Sequence, residues 1–232
     1  MKKKLVFLLL LLSFMSLGFS QNVNYGRQYV HEAIAEANYA VQTIAMTKSS
    51  IVAVYDSYGY VEAYLPRDLS TQLAYYNQNG WYIYDIHIAE NDEWVIVGDK
   101  ITWSANVPAD CVYWIQKLLE TERIDCVSFN SYGDWCIVGS SSFVCSDDFM
   151  KEQLIQNINT MGTLLYVNVT NNAIIARYED GITSSIGFDV PIMQDFLKNW
   201  YELDYSPTIV KLFYDGSFFF GNQRIGLYDA YF

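Results

Sequence analysis

The sequence predicts an α+β repeat fold: five ββ(β)α units closing into a five-fold α/β ring, with an open, capped solenoid of the same units as the alternative. Three observations lead there. Trp94-Val95-Ile96-Val97-Gly98 and Trp135-Cys136-Ile137-Val138-Gly139 repeat at an offset of 41 residues, and Phe218-Phe219-Phe220-Gly221 repeats the design with Phe for Trp. Leu65-Pro66-Arg67-Asp68 and Val107-Pro108-Ala109-Asp110 repeat at an offset of 42. A fixed period near 40 residues is the signature of a repeat architecture and takes precedence over local pattern reading. Finally, the pattern begins with a helix and ends with three strands, so the first helix and the last sheet each need a partner at the other end of the chain.

The elements follow in order. Residues 1–20 read as a secretory signal peptide: Lys2, Lys3 and Lys4 form a basic start, Leu5 to Leu12 an apolar run, and Gly18 and Ser20 the small residues before a cut ahead of Gln21. Residues 21–232 form a single domain. A helix over 25–41 is expected to complete the last unit by covering the strands of 208–231. The units then run 42–82, 83–123, 124–163, 164–207 and 208–232. Each opens on alternating apolar residues, a polar turn and a β-branched or aromatic run, which is a hairpin pattern. A third short strand and a helix follow, giving strand groups over 42–64, 83–105, 124–145, 164–186 and 208–231. Helices are expected over 66–78, 108–121, 147–161 and 190–202. Pro66 and Pro108, each followed two residues later by an acid, suit a helix start, where a donor is not needed and the dipole is positive. Apolar spacing in Met150, Leu154, Ile155 and Ile158, and in Ile192, Met193, Phe196 and Leu197, is helical.

The Pro-x-Asp entry and the Gly-x-Trp-x-Ile-Val hairpin resemble tandem Trp-containing repeats of exported bacterial proteins, over residues 83–145. That resemblance implies export and brings no catalytic residues. In shape alone, five such units also resemble the pentein-type α/β propeller. The deiminases of that fold use a nucleophilic Cys near the C-terminus; here the last Cys is Cys145 and no His follows His87, so that chemistry does not carry over.

Composition narrows function. Without Lys2, Lys3 and Lys4 the formal charge falls from −12 to −15, because residues 1–20 hold no acid. A surface so acidic repels phosphate backbones, so nucleic acid is not the expected partner. No run of eighteen apolar residues follows the leader, and no membrane span is expected. The 52% hydrophobic content and only four prolines point to a packed core rather than disorder.

No Gly-x-Gly-x-x-Gly, Walker A, His-Glu-x-x-His or calcium-loop pattern occurs, so no cofactor or metal is expected. His31 reads as a helix-surface residue and His87 as a strand residue at the place Ser128 takes in the next unit. The acidic tip Glu90-Asn91-Asp92-Glu93 reads as turn chemistry, like Asn130 to Asp134 and Tyr214 to Ser217. The cysteines at 111, 126, 136 and 145 form an even set in an exported chain, which favours disulfides, and Cys126–Cys145 is the first choice. Four buried free thiols are the alternative. Trp81, Trp114 and Tyr132 stand where sister units carry Glu122, Gln72 and Asn91, so they are expected to face solvent and offer a recognition surface.

The expected function is non-enzymatic recognition or scaffolding of a protein or glycan outside the cytoplasm. The alternative is an extracytoplasmic hydrolase drawing a carboxylate pair from Asp110, Asp147 or Asp148. A second alternative, outer-membrane association, rests on the Tyr228, Ala230 and Phe232 alternation.

Overall fold

The computed structural model describes residues 22–37, 40–185, 198, 207–222 and 227–231. The leader over 1–20 and the helix expected over 190–202 lie outside the described residues, Lys198 excepted. Among the described residues, nineteen elements follow in the order the repeat requires. Helix α1 (Asn22–Ala37) precedes strands β1 (Val41–Met46), β2 (Ile51–Tyr55) and β3 (Gly59–Ala63). Helix α2 (Arg67–Asn79) leads to β4 (Ile83–Ile88), β5 (Trp94–Gly98) and β6 (Ile101–Trp103). Helix α3 (Ala109–Leu119) leads to β7 (Ile124–Phe129), β8 (Trp135–Gly139) and β9 (Phe143–Cys145). Helix α4 (Asp148–Met161) leads to β10 (Leu164–Val169), β11 (Ile174–Tyr178) and β12 (Gly181–Ser184), and the last unit holds β13 (Ile209–Leu212), β14 (Phe218–Asn222) and β15 (Leu227–Tyr231).

Each unit is a three-stranded antiparallel meander, so the fold is five small sheets with four helices among the described residues. The hairpin tips share one geometry. In units two, three and five, Asp92, Gly133 and Gly216 take positive φ at the same place, where glycine is unstrained and Asp is tolerated. A bulge recurs near the start of the first strand, between Val41 and Thr43, Ile83 and Asp85, Ile124 and Cys126, and Leu164 and Tyr166. In unit two the bulged segment brings the Tyr82 carbonyl to 2.1 Å from where a Cβ on Gly98 would stand, which excludes any larger residue there. Ser104, Ser146 and Ser185 end the third strands, and their Oγ atoms accept from the Trp94, Trp135 and Ile174 amides at 2.8–3.0 Å. The amide that opens the second strand of these three units is thereby satisfied.

Each sheet is packed on both faces. Ala45, Val52 and Val54 of the first sheet join Leu69, Leu73 and Tyr76 of α2 and Ile86, Ile88, Trp94 and Ile96 of the second. Val95, Val97 and Ile137 meet Cys111, Ile115 and Leu118 of α3 between the second and third. The opposite face of the first sheet, with Ile44, Met46, Ile51 and Ala53, belongs to one cluster with Val30 and Ile34 of α1 and with Phe213 and Phe219 of the last sheet. Burial on both faces explains why the first and second strands read as near-continuous apolar runs.

Helix α1 packs on β2 and β3. It reaches the last unit at the β13–β14 turn, where Arg27 Nη1 pairs with Asp215 Oδ2 at 2.7 Å and Nη2 donates to the Tyr214 hydroxyl. Val30 and Ile34 of the helix share a core cluster with Ile209, Phe213 and Phe219 of the last unit. The helix lies along the first sheet, because Gly26 seats against Ala63 and Tyr64. Trp94, Trp135 and Phe218 are buried, as the repeat position requires.

Candidate functional site

The pairing register aligns the five first strands. Met46, Ile88, Phe129, Val169 and Leu212 each face the opening residue of the second strand. The residue before each is Ala45, His87, Ser128, Asn168 and Lys211, and two places earlier stand Thr43, Asp85, Cys126, Tyr166 and Ile209. All ten are buried. The chain thus places a polar side chain inside a strand that is apolar on either side of it, in four units of five.

Those polar groups reach into the next unit. His87 Nε2 lies 2.5 Å from the Phe129 carbonyl and 3.2 Å from its amide. Ser128 Oγ accepts from Val169 N at 2.8 Å and lies 3.3 Å from its carbonyl. Asn168 Oδ1 accepts from Leu212 N at 2.9 Å. The edges of adjacent sheets are bridged by side chains where no strand-to-strand ladder exists, so their buried amides and carbonyls are not orphaned. Asp85 gathers the deeper layer: Thr43 Oγ1 donates to it at 2.7 Å, Tyr166 Oη at 2.8 Å, and Lys211 Nζ pairs with it at 2.6 Å.

Above this layer opens a pocket of about 160 Å³, walled by residues of all five units. Ala45, His87, Asn168 and Lys211 line its depth, and Lys48, Glu90, Tyr132, Asn172 and Tyr214 line its mouth. Ala45 brings only a methyl group at the register where the other units carry His87, Ser128, Asn168 and Lys211, which leaves space at that wall. Burial holds the His87 imidazole down to about 4, with the Lys211 charge acting the same way, so it is neutral at physiological pH. Burial raises the Glu90 carboxyl, partly offset by Lys48, whose main-chain N–H the carboxylate accepts. A second, shallower concavity of about 210 Å³ shares Asn130, Tyr132, Val169, Thr170, Asn171 and Asn172 with the first and continues past Asp134 and Ser185.

The three sequence-predicted aromatics fall in different places. Tyr132 stands on the β7–β8 turn, 75% exposed, at the junction of the two concavities. Trp81 is half-buried after α2, edge-on to Tyr75 and Tyr76 and beneath Lys100. Trp114 is half-buried on α3 under the Lys117 ammonium at 4.4 Å. Sequence alignment of the repeat marked all three as solvent-facing; only Tyr132 is, because irregular neighbours such as Tyr75 and Lys117 cover the other two.

The carboxylates offered for hydrolysis stand at helix starts. Asp110 Oδ1 accepts from Cys111 N at 2.9 Å, and Asp147 is the N-cap of α4, accepting from Met150 N at 2.7 Å, with Asp148 beside it in the first turn. Asp68, the equivalent of Asp110, likewise accepts from Leu69 N at 3.0 Å, and its other oxygen accepts the Trp94 indole N–H at 3.1 Å. Ser128 Oγ lies 3.2 Å from His87 Nδ1, but the hydroxyl sits behind the imidazole, held by the Val169 main chain. Among the described residues no three His, Cys, Asp or Glu side chains converge to hold a metal. No described helix is long and apolar enough to cross a membrane.

The expected Cys126–Cys145 link does not fit the topology. Strand β8 lies between β7 and β9, so the two residues are two strand spacings apart, roughly 9–10 Å. A disulfide needs a Cα separation of about 4.4–6.8 Å. Cys126 Sγ instead donates to the Val167 carbonyl, and Cys145 Sγ lies 3.2 Å from Cys136 Sγ, directly opposite in register. All four cysteines are thiols in this structure.

No protein-family model matches this chain, and no curated protein matches it. Three residues that line the pocket were within reach of the sequence: His87, Asn168 and Lys211 each stand between two apolar residues at the same register of an apolar strand. The signal was a polar residue at a fixed repeat position.

Proposed function

We propose that this chain is an exported recognition module that captures one polar residue of its partner in the pocket where the five first strands end. The observation that carries this reading is the pocket wall, built from all five units around a depth of buried polar side chains. Its volume lies below the roughly 300–1,000 Å³ of sites that enclose drug-sized ligands. It therefore suits a single sugar-sized group at the end of something larger. An exposed Tyr at the mouth adds the amphipathic contact typical of recognition surfaces.

The same reading holds the five units as a closed ring. Support comes from β1, which lies against β4 on one side and β14 and β15 on the other, and from the cluster that joins Val30, Ile44 and Ala53 to Phe213 and Phe219. Export rests on the basic and apolar pattern of residues 1–20.

The test is ligand-observed NMR on the purified domain with neutral sugars, amino acids and carboxylates, followed by competition in Tyr132→Ala and Ala45→Leu. The reading expects binders that both variants weaken. Binders insensitive to both would place recognition elsewhere on the surface and end it.

A further inference from the structure

We propose that the ligand is the end of an uncharged oligosaccharide, with its terminal residue in the pocket and the adjoining residue in the groove beyond Tyr132. The inference rests on the recognition reading above and names the chemistry of its partner. The pocket is a dead end: Lys211, Asn168 and His87 close it, and the buried Asp85 cluster lies behind them. A chain can therefore enter by its end and cannot pass through.

Charge selects among polymers. Lys211 is neutralised by Asp85 at 2.6 Å, and Lys48 at the mouth faces Glu90. His87 is held neutral by burial. An unmodified peptide end carries an ammonium or a carboxylate, and burying either without an opposite charge is costly. A sugar end brings only hydroxyls, which suit amide and hydroxyl partners. Asn168 supplies one: its Oδ1 is taken by Leu212 N, and its Nδ2 makes no protein hydrogen bond among the described residues.

The second site follows from shared walls. The groove and the pocket meet along Tyr132, Asn171 and Asn172, and Asn171 is fixed there by Ser131, whose amide donates to its Oδ1 at 2.9 Å. Two adjoining concavities of about 160 and 210 Å³ separated by an exposed aromatic match two linked sugar rings, one on each side of the phenol.

The experiment is calorimetric titration with neutral oligosaccharides of one to four residues built from glucose, galactose, mannose, xylose and N-acetylglucosamine, with acetate, phosphate and ethylamine as charged probes. At least one series should bind, gaining roughly tenfold (about 1.4 kcal/mol) from one residue to two and little thereafter. Tyr132→Ala should weaken the disaccharide at least tenfold, and Ala45→Leu, which fills the pocket, should abolish binding; Tyr132 is exposed, so its variant keeps the fold even if the other does not. Equal affinity for one and two residues overturns the groove site while the pocket reading survives. Preference for a charged probe at the pocket overturns the sugar class. Silence across the whole panel at millimolar concentration overturns the inference, and sugar binding untouched by both variants overturns the pocket reading itself.

Discussion

Lys211 of the fifth unit and Asp85 of the second form an ion pair of 2.6 Å with both side chains only 2% exposed. Lysine is almost never so buried unless paired. Nζ also donates to the Ile86 carbonyl at 2.5 Å, and the carboxylate takes hydroxyls from Thr43 and Tyr166. Four units therefore meet on one carboxylate. Breaking a buried pair costs more than the pair is worth, because the remaining charge is left without compensation. Lys211→Met should lose roughly 3–5 kcal/mol, a large part of a stability of about 5–15 kcal/mol. The double variant Asp85→Asn/Lys211→Met should recover much of that loss. Urea unfolding of the three proteins settles it; a single-variant cost below about 1 kcal/mol would remove the hub role.

The buried imidazole of His87 makes stability depend on pH. Its folded pKa is about 4 against 6.5 for the free group, so the unfolded chain binds more protons between those values. Stability is fully present above pH 6.5 and falls as pH drops toward 4. From pH 7 to pH 5 the loss from this group should be about 2 kcal/mol. The His87→Gln variant should lose distinctly less over the same interval. If denaturation midpoints of the two proteins fall in parallel, His87 is not the titrating group.

Aromatic substitutions should separate surface from core. Tyr132→Ala should leave stability within about 0.5 kcal/mol, since the side chain lies in solvent. Trp135→Ala, 1% exposed, should cost roughly 3–5 kcal/mol. Trp81→Ala and Trp114→Ala should fall between, at about 1–2 kcal/mol, because each loses ring or cation contacts as well as partial burial. Thermal denaturation of the four variants gives the order, and a Tyr132 cost matching that of Trp135 would contradict its exposed placement.

The period in the sequence carried most of this architecture because each unit buries the same positions. Strands expected over 124–145 run from Ile124 to Cys145, and a helix expected over 147–161 runs from Asp148 to Met161. The alternation of His87 and Ser128 at one register was visible too. Its meaning was not, since a sequence shows no neighbour across the sheet edge, and only that neighbour makes a buried His reasonable. Trp81 and Trp114 were misplaced for the same reason. Their cover comes from local neighbours, Tyr75 and Tyr76 for Trp81 and Lys117 for Trp114. The cysteines depended on register: the short β9 sets Cys145 opposite Cys136, and nothing in the spacing of four cysteines decides between the three pairings.

That register yields the last prediction. Facing residues in an antiparallel pair stand about 4.5–5.5 Å apart at Cα, within the span of a disulfide, and the Cys136 and Cys145 sulfurs are already 3.2 Å apart. Cys145 is the half-buried member and the accessible one; Cys136 is buried, and its pKa is raised first by its bond to Cys145 and then by burial. With oxidised glutathione, the Cys145 thiolate should attack the disulfide and release one glutathione thiol. Cys136, once deprotonated, then displaces the second, leaving a Cys136–Cys145 bond and two reduced glutathione molecules. Cys111 and Cys126 should stay reduced, since burial pushes the first up to about 12 and raises the second as well. Intact mass should fall by two hydrogens, and peptide mapping should join the segments that carry Cys136 and Cys145. Closing so short a loop should stabilise the domain by about 2–3 kcal/mol, seen as a higher denaturation midpoint that a reductant reverses. A stable mixed disulfide on Cys145, or a bond from Cys145 to Cys126, would mean that β8 and β9 do not pair in this register.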